Sequence, residues 1–295
     1  MTWRGVMPAI TTPFLPDLSV DHEFLKKHVT WLVDEGSTGI VALGSLGEGA
    51  TLAFDEKVAI LRSCVEAVGS RVPIVAGIAA LSTSEAVRLA QEAEKAGCQG
   101  LMVLPPYVYK GTWPEMRNHV ASIFKATSLS CMLYNNPIAY GTDFLPSQVK
   151  ELADAYPNMH SVKESSADIR RVTAIRALVG DRLALFVGVD DVIVEGIDAG
   201  AVGWIAGLVN AMPKESIDLF NLALAGKKDE ARKLYEWFLP LLRLDTTFDF
   251  VQLIKLVQAE VGMGNARVRP PRLELSGSEL ASVQKLIRDA IAKRP

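Results

Sequence analysis

Residues 130–163 read SCMLYNNPIAYGTDFLPSQVKELADAYPNMHSVK. An apolar run, Ser130–Tyr134, leads into a helical segment that Pro146 can open, and a second apolar run, Met159–Lys163, follows. Proline costs least in the first helical turn, where its missing N–H has no partner in any case. Strand, helix and strand in that order describe two parallel strands joined by a helical crossover. The unit recurs in both directions. Short β-rich runs stand at Gly5–Ile10, Gly39–Leu43, Val72–Ala76, Gly100–Leu104, Leu183–Val187 and Val202–Ala206. Most of their ends are spaced by roughly 30 residues, and the last two steps are shorter.

Helices are expected between these runs over His22–Asp34, Asp55–Val68 and Thr83–Ala96, with Gly36, Gly69 and Gly97 as stops. Eight strands in this rhythm predict a (β/α)8 TIM barrel, and no G-x-G-x-x-G segment follows the first strand to suggest an open dinucleotide-binding sheet. Helices at 214–225, 228–243, 249–262 and 277–293 come after the eighth strand. The expected division is a catalytic barrel over 1–225 and a C-terminal helical extension over 226–295 packed against it.

Composition narrows the function. A net charge of −3 with interspersed signs offers no basic surface for nucleic acid. The apolar stretches fall short of the roughly 18 residues a membrane span needs, and no signal segment is evident, so a cytoplasmic protein is expected. Cys64, Cys98 and Cys131 lack metal-site spacing and read as reduced thiols. The four histidines pair with no metal ligand at usable spacing, so no metal site is expected. Asp190-Asp191 after the seventh strand are read as helix-capping residues in preference to a Mg²⁺ site.

Active sites of such barrels lie at the C-terminal ends of the strands. Three polar segments fall there: Gly44-Ser45-Leu46-Gly47-Glu48, Tyr134-Asn135-Asn136-Pro137 and Lys163-Glu164-Ser165-Ser166. Side chains alternate along a strand, so an inward Lys163 brings Ser161 and Met159 inward and turns Val162 and His160 toward the helices. The same parity turns Tyr134, Met132 and Ser130 inward and places Tyr134 beside Lys163. Desolvation favours the neutral amine, which is the nucleophile, and a phenol within reach can pass the protons that imine formation requires. The glycines of the first segment can free N–H groups, and Ser45 a hydroxyl, for a carboxylate. Taken singly, a strand-end lysine is more often a solvated tip and a glycine pair a tight turn. Together on one barrel face they describe a site for a 2-oxo acid. Glu48 is expected to brace its loop.

GSLGE at 44–48, YNNP at 134–137, KESS at 163–166 and the opening GVMPAITTPF resemble the signature segments of the dihydrodipicolinate synthase/N-acetylneuraminate lyase superfamily. The resemblance covers nearly the whole chain. It implies a class I aldolase or dehydratase without metal or organic cofactor, assembled as a homo-tetramer or dimer and acting on a small 2-oxo acid. By position it implies that Lys163 forms the Schiff base and that Tyr134 is the catalytic tyrosine. Ser45 and Leu46 correspond to the carboxylate-binding segment, Ser165 to a serine near substrate hydroxyls, Ile205 to a residue whose backbone faces the keto acid, and Gly188 to the pocket wall. Tyr107, Tyr109 and Tyr140 are candidates for substrate or subunit contact on the loops above.

Three departures bear on the substrate. The synthase pattern has two threonines where this chain has Ser45-Leu46, an arginine where it has Ala139, and a relay tyrosine where it has Val108. A methyl group cannot replace a bidentate guanidinium at a carboxylate. The expectation is therefore a Schiff-base lyase with dehydration or deamination preferred, such as a 1-pyrroline-4-hydroxy-2-carboxylate deaminase or a 2-keto-3-deoxy sugar-acid dehydratase. A 2-keto-3-deoxy sugar-acid or 4-hydroxy-2-oxoglutarate aldolase is the next alternative, and 4-hydroxy-tetrahydrodipicolinate synthase the last of the enzymes. A catalytically dead barrel that binds a keto acid is the non-enzyme alternative.

Overall fold

A computed structural model describes all 295 residues. Eight parallel strands form one sheet: β1 (Gly5–Pro8), β2 (Ile40–Ala42), β3 (Ile74–Ile78), β4 (Gly100–Val103), β5 (Ser130–Asn135), β6 (Met159–Glu164), β7 (Ala184–Val187) and β8 (Gly203–Ala206). Each pairs with its neighbour in sequence, and β8 returns to β1. The Ile10 N–H donates to the Val41 carbonyl at 2.9 Å and Ala9 bridges Val41, which closes the ring between β1 and β2. The result is a (β/α)8 barrel whose strands are buried on both faces, as their near-continuous apolar runs require.

Local chemistry sets the crossovers. The first helix, His22–Asp34, is capped by the Asp21 carboxylate, which accepts from the Phe24 N–H at 2.9 Å. Pro146 and Pro213 each open a helix at its first position. Two starts differ from expectation. Glu56 closes the next helix back onto the Ala53 N–H, so that helix begins at Phe54, and Ser82, not Thr83, caps the third by accepting from Glu85. The third strand lies two residues later than Val72–Ala76, because the Val72 N–H is spent on Val68 and the ladder runs on to pair Ile78 with Val103.

The extension of Lys228–Leu242, Phe250–Glu260 and Gly277–Ala292 packs back onto the barrel. Phe238, Leu241, Ile254, Val257 and Ile287 join the same apolar core as the strands. One buried ion pair ties the two parts together: Lys255 Nζ donates to Glu48 at 2.6 Å, and the Arg269 N–H donates to the other Glu48 oxygen at 2.9 Å. Glu48 thus braces its loop, as expected, and its φ of 54° places it in the left-handed region that this grip must hold. No helix is long and apolar enough to cross a membrane.

Candidate active site

The register of the two decisive strands pairs Tyr134 with Lys163, Leu133 with Val162 and Met132 with Ser161. Both candidate side chains therefore stand at the C-terminal mouth, and both are 5% exposed. Lys163 Nζ lies 4.1 Å from the centroid of the Tyr134 ring, and Asn136 Nδ2 donates to Tyr134 Oη at 3.1 Å. The parity expected lower down does not carry through. The register slips between Cys131 and Met132, and the residue skipped, His160, is exposed and bonded to Ser130 Oγ. A bulge of this kind resets which face a residue meets.

The lysine stem packs against Gly188. A Cβ there would lie 2.9 Å from Lys163 Cγ, and closer still to Lys163 Cε and Ser165 Oγ. Ser165 is buried, its N–H donates to the Asn135 carbonyl at 2.8 Å, and its hydroxyl has no partner. Glu164 turns away to accept from Asn135 Nδ2 at 3.0 Å and the Ser166 N–H at 2.7 Å, and burial raises its pKa. The structure thus gathers Lys163, Tyr134, Ser165 and Gly188 at one point.

The loop after β2 supplies a second cluster. Its Glu48 and Gly49 N–H groups turn back to Ser45 and Gly44, while those of Ser45, Leu46 and Gly47 have no partner in the chain. A Cβ at Gly47 would meet the Ile10 carbonyl at 2.9 Å, so this backbone approach admits only glycine. Ser45 Oγ is hydrogen-bonded to Tyr140 Oη. Tyr140 also meets the Tyr134 ring edge-on at 5.8 Å and the Tyr107 ring at 5.6 Å. Burial, with Tyr134 nearby, pushes the Tyr107 phenol up to about 12 and raises Tyr140 well above the ordinary phenol value. Both keep their protons at neutral pH. Leu46 is buried in the core.

Other sequence candidates lie apart. Tyr109 is 52% exposed and gives its hydroxyl to Glu115 at 2.8 Å, so it does not face the site. Ala139 is exposed in the short Pro137–Tyr140 helix on the rim, with its N–H capped by Asn136. Ile205 is buried on β8 beside Met7 of β1. Val108, a β-branched residue, has a φ of 69° and is 92% exposed. A cavity of about 660 Å³ opens between Lys214, Leu222 and Leu234, away from the strand ends that carry these side chains.

Two carboxyls at the mouth were misread or missed. Asp190 does not cap its own helix. It is fully buried and accepts from Trp204 Nε1 at 2.9 Å and from the Gly207 and Leu208 N–H groups, tying the loop after β7 to the end of β8. Burial, opposed by these donors and by Lys163, raises its pKa to about 6. Asp245, in the extension, carried no sequence signal. No three His, Cys, Asp or Glu side chains gather as a metal-binding group.

The chain matches the Dihydrodipicolinate synthetase family over residues 2–290. It is 34% identical over 293 residues to the 4-hydroxy-tetrahydrodipicolinate synthase of Halorhodospira halophila, covering 98% of this chain and 97% of that protein. The enzyme of the same name from Desulforamulus reducens is 31% identical over 285 residues, 96% of each chain. Among solved structures, the dihydrodipicolinate synthase of Acinetobacter baumannii complexed with pyruvate superposes with a TM-score of 0.93 at 28% identity over 99% of both chains. Motif, fold and whole-length similarity agree, and the chain belongs to the dihydrodipicolinate synthetase family, whose members are enzymes of the class I, Schiff-base-forming lyase type.

Proposed function

We propose that this enzyme forms an imine between Lys163 Nζ and the ketone of a small 2-oxo acid, with Tyr134 as proton relay. The observation that carries the reading is the pairing of Lys163 with Tyr134 at the mouth, amine over ring at 4.1 Å. The neutral amine adds to the ketone carbon, and the carbinolamine oxygen leaves as water once a phenol has brought it a proton. The protonated imine then draws the electrons of a C3–H bond while the Tyr134 phenolate takes up that proton, giving an enamine. The unpartnered N–H groups of Ser45, Leu46 and Gly47 suit the substrate carboxylate, the free Ser165 hydroxyl suits a polar group along its chain, and Ile205 and Gly188 shape the wall. Tyr140, hydrogen-bonded to Ser45 and edge-on against the Tyr134 ring, ties the carboxylate loop to the relay tyrosine, a contact that Val108 cannot make.

The enamine has two fates. The names of the relatives favour addition to an aldehyde, as in 4-hydroxy-tetrahydrodipicolinate synthase, the activity that the residues had placed last among the enzymes. The residue that speaks for the second reading, expulsion of a hydroxyl or amino group by dehydration or deamination, is Ala139, which leaves no guanidinium for a second substrate carboxylate. Assembly as a homo-dimer or tetramer belongs to the same reading, and the exposed, strained Val108 supports a subunit contact there.

Borohydride reduction in the presence of pyruvate tests the imine. A covalent adduct on Lys163 by mass spectrometry is expected; it vanishes in Lys163→Ala and forms roughly 10²–10⁴-fold more slowly in Tyr134→Phe. An adduct that persists in Lys163→Ala refutes the mechanism. The fate of the enamine is read from a panel: pyruvate with aspartate semialdehyde, 4-hydroxy-2-oxo acids, and hydroxylated pyrroline carboxylates, scored for condensation product, pyruvate, ammonia and α-ketoglutarate semialdehyde.

A further inference from the structure

The lysine chemistry leaves one group at the mouth without a task. Asp245 lies in the turn Arg243–Thr246 of the C-terminal extension, and its carboxyl rests on the backbone just past β8. A Cβ at Gly207 would meet Asp245 Oδ2 at 2.8 Å, with Cγ and Oδ1 closer still. Oδ1 is shut off from solvent and has no hydrogen-bond partner. Asp190 receives the N–H groups of Gly207 and Leu208 from the same turn of backbone, so two carboxyls share one glycine.

Two carboxyls so placed do not ionise together at neutral pH, and the one with more donors holds the charge. Asp190 has three N–H donors, whereas Asp245 Oδ1 has none. Asp245 is therefore the member that keeps its proton. Burial and then Asp190 raise its pKa well above the ordinary carboxyl range; Lys163 opposes this and Asp191, itself facing Arg243 at 3.5 Å, adds to it. A neutral carboxyl has an O–H to give, and an unpaired one inside a barrel mouth lacks only a recipient.

We propose that Asp245 is the proton donor to the oxygen carried on C4 of the substrate chain. The proposal rests on the Lys163 reading and serves either fate of the enamine. In condensation, C3 bonds to the aldehyde carbon, the C=O pair moves to oxygen, and Asp245 O–H supplies the proton that makes it a hydroxyl. In elimination, the enamine electrons form C3=C4 as the C4–O bond breaks, and the same proton turns the departing oxygen into water. Either way Asp245 is left as a carboxylate opposite the iminium of Lys163 and regains its proton from solvent before the next turnover.

Pyruvate has no C4, which separates the steps. The full-length enzyme and its Asp245→Asn and Asp245→Glu variants are compared in three measurements: the borohydride-trapped pyruvate adduct, exchange of pyruvate methyl protons for deuterium by NMR, and kcat on a substrate whose C4 carries oxygen. For the last, pyruvate with aspartate semialdehyde and 4-hydroxy-2-oxoglutarate are both used. In Asp245→Asn the adduct and the exchange are expected to stay within about threefold of the parent, while kcat falls by roughly 10²–10⁴. Asp245→Glu, which keeps the acid on a longer arm, recovers part of that loss. Equal loss in all three measurements, full retention of kcat in Asp245→Asn, or no C4 turnover by the parent enzyme on either probe overturns the proposal. Absence of any adduct in the parent enzyme instead refutes the Lys163 reading.

Discussion

Replacing Gly188 by alanine tests whether Lys163 is held where the barrel places it. The new methyl carbon would lie 2.9 Å from Lys163 Cγ, with Cε and Ser165 Oγ closer. Carbon atoms settle at about 3.5–4.0 Å, so the lysine stem must retreat by at least ~0.6 Å at Cγ and farther toward the amine. Misplacement of a reacting group by about 1 Å costs about 10²-fold in rate, and overpacking a buried site costs about 1–3 kcal/mol of stability. Gly188→Ala should therefore trap the pyruvate imine roughly 10²-fold more slowly, with only a modest fall in Tm. Ser165→Gly in the same background removes the hydroxyl from the clash but leaves the lysine, so the imine rate should not return. Should Gly188→Ala trap pyruvate within threefold of the parent, or Ser165→Gly restore it, the lysine is not seated against this glycine.

Two further predictions concern the frame that holds the site. Lys255→Met leaves buried Glu48 with only Arg272, 3.8 Å from its other oxygen, as a cation, and removal of one partner of a buried pair costs about 3–5 kcal/mol, less whatever Arg272 retains; urea unfolding should show it, and Lys255→Met/Glu48→Gln should recover part, whereas additive losses would deny the coupling. His28 is fully buried, and burial lowers its pKa to about 4. Its folded value lies below the ordinary 6.5, so its stabilising contribution is complete above pH 6.5 and is lost as pH falls through about 4. The shift corresponds to about 3 kcal/mol. His28→Gln should flatten the urea midpoint between pH 7 and pH 4, and an unchanged acid slope would place the loss elsewhere.

The strands and the Lys163–Tyr134 pair were legible because a half-buried or buried strand offers few alternatives. A side chain faces in or out, and a slip of one residue exchanges every choice at once. From the mouth down to Met132 that logic holds, and it stops where the bulge at Cys131 inserts an unpaired residue. Tyr140 was legible only as a loop residue. Its contact with Ser45 depends on the short helix that Asn136 caps, and no periodicity announces a four-residue helix. Asp245 was invisible: it falls in the gap between two helical patterns, and only the folding of the extension over Gly207 brings it to the site.

The same distinction accounts for the tension between the relatives' names and this chain's own residues. The relatives are 31–34% identical over nearly the whole length, and in this chain Lys163 and Tyr134 stand on strands packed into the common core. On the proposed reading, what the enamine meets next is decided by residues from separate loops: Leu46, Val108, Ala139 and Tyr140. Loops on a rigid barrel exchange side chains at little cost to folding, so reaction partners can diverge while the imine stays. An acid delivered from the extension suits that division, because it acts on the C4 oxygen common to both fates and leaves the choice between them to the rim. The contrast between Asp245→Asn, which should strike the C4 step, and Ala139→Arg, which should alter only which partner is accepted, would separate the two layers experimentally.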